Sequence, residues 1–361
     1  MSLSDKMNPS HFHEYKGAIH MHSTYSDGTK TFPEIIEIGK SCGLDFLMFT
    51  DHMTLKPLED GFEGWHDNLL VLIGYEINDT HNKNHYLAFG LDKILPYDLP
   101  AREYVPRVKK QGGLGILAHP DEIRNKLPRF PPYPWTEWDT DGFDGIEIWN
   151  QMSEWMESLT KYNRLLQLVH PRKSLKGPTE RILAYWDKEA HQRRVLAIGG
   201  VDAHGHKYRL GPFPLTIFPY EVQFRTIRTH VLLEQPLSKD SKTAKSQVLS
   251  ALRNCRVFIS NLRWGETDGF SFTAENADRQ ETIGGIIEFD KSVKLRVRLP
   301  GKCHFRLIKN GLVAIEEKTD RLEYVSYTPG IFRVEALRKG KGWIYSNHIY
   351  VLEPGRISSF K

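Results

Sequence analysis

Two histidines stand one residue apart in the stretch "GAIHMHSTYSDG", at His20 and His22, directly after a short apolar run, and Asp27 follows in the next loop. On a strand, residues i and i+2 project from the same face, so two imidazoles spaced this way can hold one metal ion. The device recurs in "GVDAHG", with Asp202 and His204 at the same spacing. Between these lie His52 in "FTDH", Glu76 in "GYE", His85 in "NHYLAFG" and His119 in "LAHP", each at or beside the end of an apolar run. A mixed set of imidazoles and carboxylates suits zinc, manganese or iron rather than a thiolate-bound structural zinc. These side chains are too many for one coordination shell, and would serve two or three divalent ions that share a bridging carboxylate. Of the other histidines, His170 closes a helix-like pattern, and His206 is near the constellation without its spacing. His11, His13, His66, His81, His191, His230, His304 and His348 are read as surface or loop residues.

The elements that must position these groups are legible as alternation. Seven apolar runs ("GAIHMH", "LDFLMFTDH", "LLVLIGYE", "HYLAFG", "GLGILAHP", "GFDGIEIWN", "VLAIGGVDAH") are separated by loops and, in several places, by segments of helical periodicity. These include "FPEIIEIGKSCG", with a proline near its first turn and a terminal Gly43, "AREYVPRVKKQGG", "SEWMESLTKYNRLLQLV" and "TERILAYWDKEAHQRR". Strands alternating with helices argue for parallel strands under covering helices, and this number of strands for a closed or nearly closed TIM-like barrel. Reactive residues in such barrels gather at the C-terminal ends of the strands, where the ionisable residues of these runs fall. Beyond residue 260 the character changes to period-two segments such as "SVKLRVRLP", "HFRLIKNG" and "GIFRVEALRKG", broken by Gly, Pro and Asn-Gly. The expectation is a barrel over residues 1–260 and a small antiparallel, sandwich-like β domain over 261–361.

The chain has 361 residues, 40% hydrophobic and 26% charged, an ordinary globular composition. It has no apolar stretch long enough to span a bilayer and no apolar leader near its N-terminus, and Cys42, Cys255 and Cys303 form no disulfide framework. A reducing, cytoplasmic setting without a membrane partner is expected. The net charge of +4 is uneven: from Cys255 onward there are 18 Lys and Arg against 13 Asp and Glu. An ordinary solvated surface is the first reading of that excess, and a weak attraction for nucleic acid the second.

"HMHSTYSDG", "FTDH", "GYEIN…HYLAFG", "LAHP" and "GVDAHG", in this order over roughly residues 15–210, resemble the PHP (polymerase and histidinol phosphatase) family. The resemblance implies a distorted seven-stranded (β/α) barrel, a di- or trinuclear metal centre and phosphoesterase chemistry. It would give His20, His22, Glu76 and Asp202 to one ion and His52, Glu76 and His85 to a second, with Glu76 bridging. Asp27, His119 and His204 would take a third. Some members carry a histidine where Asp27 stands, which bears on that ion's identity. "RVFISN", "GIFRVEAL" and "WIYSNHIYVL" look like the tail of a branch that includes carbaryl-hydrolase-like metallohydrolases, so a carboxylic or carbamic ester is the alternative substrate. A metal-stabilised binding module without catalysis is the alternative of another class.

Clustered divalent ions lower the pKa of bound water, so no side-chain nucleophile is required, and Glu76, Asp202 and His119 are the candidate catalytic residues. The expected partner is a small phosphorylated or nucleotide-like molecule. Arg124, Lys207 and Arg209 lie in the right loops to meet its phosphate. Asp51 is a candidate to orient an imidazole. Residues 127–142 form a long Pro- and aromatic-rich loop whose Tyr133, Trp135 and Trp138 could stack on a base, and Glu147 and Asn150 could line the pocket.

Overall fold

The computed structural model describes residues 12–124, 131–160, 162–210, 213–358 and 360, without the side chains of 208–210, 213 and 214. The seven apolar runs form the seven barrel strands, His13–Ile19, Phe46–Phe49, Leu69–Ile77, Tyr86–Phe89, Leu114–Leu117, Gly145–Asn150 and Leu196–Gly200. The first three pair in parallel, and so do the last three. The fourth runs antiparallel to both its neighbours. Residues 78–85, which lead into it, are fewer than the dozen or so that a parallel crossover requires, so the chain must turn back. The barrel closes where Val201 N donates to Ile19 O (3.0 Å) and Met21 bridges Ala203 in parallel.

Local chemistry sets the covering helices. Phe32–Ser41 starts at Thr31, whose backbone N–H and hydroxyl both donate to Glu34 (2.9 Å each), and it buries Phe32, Ile35, Ile36 and Ile38. It ends before Gly43, whose φ of +66° takes the left-handed conformation that stops a helix. The stretch read as one helix after residue 152 is two, Gln151–Ser158 and Arg164–Val169. Asn163 separates them by accepting from Thr160 N (2.7 Å) and donating to Ser158 O (2.9 Å).

The C-terminal region is antiparallel apart from Ile286–Glu288, which pairs in parallel with Ile349–Leu352. Its spine is a long hairpin of Val293–Lys309 against Leu312–Ser326, turned by Asn310 and Gly311, both with positive φ (54° and 81°). No linker separates this region from the barrel. The strand Val257–Asn261 pairs with Ile227–Leu233 on one edge and with Lys341–Ser346 on the other. Val257 and Ile259 pack among barrel residues, while Phe258 between them packs into the C-terminal core. Among the described residues no helix is long and apolar enough to cross a membrane.

A buried charge network pins the two regions. Arg333 binds Asp187 of the helix Glu180–Ala190 through two parallel hydrogen bonds of 2.8 Å and also reaches Glu335 (2.5 Å). His348 contacts the same Asp187 oxygen at 2.8 Å. His348 and His230 are therefore not surface residues: both are buried, and His230 is held between Glu14 and Ser260 at 2.7 Å each. A histidine alternating with apolar residues in a strand had given no sign of its partners, which lie far off in sequence. Replacing Asp187 by Asn should destabilise the fold by about 3 kcal/mol, because it strands a buried guanidinium. Urea unfolding checks this, and a loss below about 1 kcal/mol would mean that the network is solvated.

Candidate metal centre

At the rim, the chain leaves regular strand geometry where the side chains matter. The first strand ends at Ile19, and His20 has a φ of 69°; the last barrel strand ends at Gly200, and Asp202 has a φ of 51°. His119, just beyond its strand, is also at positive φ (29°). Non-glycine residues rarely hold this conformation, and they persist where surrounding structure imposes it. The expected alternation of His20 and His22 along a strand is thus replaced by a kink. Segments 20–22 and 202–204 lie side by side, joined by His22 N to Ala203 O (2.9 Å) and Asp202 N to His20 O (2.7 Å). Met21 and Ala203 face the core, and the flanking polar residues face the site.

Glu76 is the hub. Its Oε2 lies 3.2 Å from Nε2 of both His20 and His22 and 3.5 Å from His52 Nδ1. Its Oε1 lies 2.7 Å from His85 Nδ1 and 3.3 Å from His119 Nε2. Asp202 Oδ1 stands 3.4 Å from His20, 3.5 Å from His22 and 3.4 Å from His204. Asp27 Oδ1 stands 3.3 Å from His204 and 3.8 Å from both His22 and His52. All nine side chains singled out in the sequence are brought to one place. His85 joins from the start of its strand because that strand is reversed, so its first residue meets the last residues of the others.

Three groups have donor atoms within 4.8 Å of one another: His20, His22 and Asp202; His20, Glu76 and His119; and His22, Asp27, His52 and His204. This grouping corrects the allotment implied by the resemblance. His119 stands with Glu76, not with Asp27 and His204, because Glu147 accepts its backbone N–H at 2.6 Å and fixes it on the far side of Glu76. The fit to cations is direct. Both ring nitrogens of His22, Nε2 of His85 and Nδ1 of His119 are buried without an aligned hydrogen-bond partner. Once deprotonated, such nitrogens offer lone pairs that a cation would satisfy.

Charge follows depth. Burial opposes protonation of His20 and His22, but the facing carboxylates overcome it, raising His20 strongly and His22 to about 10. Glu76 and Asp202 stay ionised despite burial because the imidazoles hold their pKa values well below the usual range. At the mouth, burial and protonated His22 push His52 down to about 4, so it is neutral.

Several supports were only partly visible in the sequence. Glu147, a carboxylate inside the apolar run "GIEIWN", contacts His20 Nδ1 at 2.9 Å and thereby aims Nε2 at Glu76 and Asp202. Asn150 donates to the other oxygen of Glu147 at 3.0 Å. Gly200 makes room for this carboxylate, since a Cβ there would lie 1.6 Å from Glu147 Oε1. Among the described residues Asp51 bonds no imidazole; it accepts from Ser23 N and Oγ and from Ser26 Oγ (2.7, 2.9 and 2.7 Å), shaping the loop that carries Asp27. His206 stacks on His204 at 4.8 Å, extending a column of His52, His22 and His204.

The substrate-facing expectations fare differently. Arg124 is engaged by Glu122 and sits over the Tyr133 ring, which stacks on His85 at 5.3 Å. Lys207 is exposed beside His206, and the side chain of Arg209 lies outside the described residues. Trp135 is buried in the barrel core and Trp138 packs on Tyr185, so only Tyr133 of these three aromatic residues reaches the site. Residues 127–130 of that loop lie outside the described residues. The spacing Gly39–Gly43 mimics a serine nucleophile elbow. It caps a helix instead, with Ser41 Oγ donating to Ile38 O at 2.8 Å.

Residues 18–210, more than half of the chain, match the PHP domain. The chain belongs to the PHP domain family. It is 30% identical over 122 residues to an uncharacterised protein of Methanocaldococcus jannaschii and 32% identical over 83 residues to the phosphoribosyl 1,2-cyclic phosphate 1,2-diphosphodiesterase of Eggerthella lenta. These matches cover 29% and 22% of this chain, and span 67% and 32% of those relatives' lengths. Among solved structures it resembles a two-domain protein of Bacteroides vulgatus containing a predicted PHP-like metal-dependent phosphoesterase (15% identity, TM-score 0.46, 93% of this chain and 95% of that one). It also resembles Endonuclease Q in complex with a 27-mer duplex (16% identity, TM-score 0.40, 65% and 57%).

Two predictions follow from the geometry. A metal ion must displace protons held by His20 and His22, so divalent-metal affinity should rise with pH through neutrality, with proton release. Calorimetry in buffers of different ionisation enthalpy checks this, and uptake without proton release would contradict the charge assignment. Gly200→Ala should displace Glu147 and weaken metal retention by about 10- to 100-fold, read as metal per chain after dialysis.

Proposed function

We propose that this chain is a metal-dependent phosphoesterase, acting on a small phosphorylated or nucleotide-like molecule. The observation that carries the reading is a single buried carboxylate, Glu76, in reach of five imidazoles from four separate segments, with Asp202 and Asp27 closing the groups. His20, His22, Asp27, His52, Glu76, His85, His119, Asp202 and His204 would hold two or three divalent ions, zinc, manganese or iron by the chemistry of the donors. Bound there, such ions supply a hydrolytic nucleophile near neutral pH and polarise the phosphoryl oxygens.

The chain's own residues then have distinct tasks. Glu76 and Asp202, held ionised, balance the cations, and Glu147 keeps His20 in one tautomer. Asp27 and His52 are the exposed members (side chains 51% and 30% accessible), which makes their side the approach for substrate. Lys207, exposed next to His206, is the chain's candidate to meet a phosphate, while Tyr133, braced by Arg124, walls the side of His85. His119, its backbone fixed by Glu147, presents Nε2 beside Glu76 as a ligand. The buried, unpaired state of all three cysteines fits the proposed cytoplasmic setting.

A panel of a phosphomonoester, a phosphodiester and an aryl carboxylic ester tests the proposal, with manganese or zinc supplied. Phosphoester turnover should fall at least about 100-fold in Glu76→Gln, together with metal content. Turnover of the aryl ester alone would favour the carbaryl-hydrolase-like reading. Metal retention with no turnover at all would favour a binding module.

A further inference from the structure

We propose that the strand Leu312–Ser326 is a self-recognition edge, through which two copies of this chain pair antiparallel about a two-fold axis at Thr319. The strand is hydrogen-bonded along one side only, to Val293–Lys309; among the described residues no strand pairs with its other side. A 15-residue edge is long for a sheet left open, and open edges are templates for another strand.

Its sequence says which strand. Antiparallel pairing centred on Thr319 sets Lys318 opposite Asp320 of the second copy, and Glu317 opposite Arg321. The two-fold repeats both pairs. These four charges have no ion-pair partner among the described residues, whereas their neighbours Glu316 and Glu323 are already taken by Arg306 and Arg296. Within the chain Arg321 faces another arginine, Arg298, directly across the ladder, an arrangement that costs energy until an acid arrives. A second copy's Glu317 would supply that acid.

The ends of the strand agree with its middle. Leu312 and Val313 at one end and Val325 and Tyr327 at the other are exposed (75%, 50%, 38% and 75%). Antiparallel pairing brings one copy's Leu312 and Val313 against the other's Val325 and Tyr327, removing all four from water. A parallel or shifted pairing would set like charges together or leave these side chains exposed, so the register is specified as well as the partner. Thr319 Oγ1, which bonds Arg321 N and O at 3.1 and 2.8 Å, occupies this edge in the isolated chain and must rotate away on pairing.

Sedimentation of the full-length protein tests this. The wild-type chain should show a concentration-dependent dimer. Lys318→Glu should weaken it at least about tenfold by setting acid against acid at two symmetric positions. The double variant Lys318→Glu with Asp320→Lys should restore it, which separates a pairing defect from a folding defect. A strictly monomeric wild type, a Lys318→Glu dimer of undiminished strength, or a double variant that fails to recover would overturn the proposal.

Discussion

One carboxylate governs the architecture of the rim. Glu76 is buried, ionised and surrounded by five imidazoles that reach it from four different connections. In a low-dielectric interior, a group of this kind is tolerable only when opposite charge is close on several sides. Three of the histidines around it, His22, His85 and His119, are themselves buried with nitrogens lacking an aligned partner, so neither set is satisfied by the other alone. The centre is therefore built for cations, and local irregularities of the barrel bring donors to them.

Three such irregularities matter. Left-handed backbone at His20, His119 and Asp202 turns the chain at points where a regular strand would send successive residues to opposite faces. The reversed fourth strand brings His85 to the same rim from the opposite direction. Glu147, rising from inside the barrel, fixes one histidine through its ring and another through its backbone. Because one side chain serves two ligands, the space for it is kept by the absence of a Cβ at Gly200. Strain at the ligands and precision in their support are two sides of one arrangement.

The site residues were legible because apolar runs that end in ionisable residues call for a chemical reason, and the nine candidates fell at or beside six of the seven runs. The strand count was legible for the same reason. What escaped the sequence was whatever depends on three-dimensional return. Spacing alone could not place His119 beside Glu76, because the hydrogen bond that holds it there comes from a strand 28 residues on. Asp51 looked like a partner for its neighbour His52, yet its carboxylate is consumed by Ser23 and Ser26. Trp135 carried the same aromatic signal as Tyr133, and only burial distinguishes a core residue from a wall of the site. The gap between Arg124 as an apparent free cation and as a partner of Glu122 has the same origin.

The C-terminal region bears on the metal centre through the last barrel strand. Asn347 accepts from Ala197 N at 2.7 Å and donates to Ala197 O at 2.8 Å, closing both backbone groups of that residue from outside the barrel. Arg333 and His348 hold the helix that leads into the same strand. Asp202 and His204 follow directly from it, with Asp202 already in a backbone conformation that needs outside constraint. A strand whose end carries strained ligands gains most from being clamped at its middle, and the β region provides two clamps, one on its backbone and one on its helix. The continuity of the sheet through Val257–Asn261 makes a third, since that strand packs Ile259 against Gly199, whose missing side chain lets it approach. The β region is thus part of what holds the rim in shape, independently of anything it binds on its own outer edge.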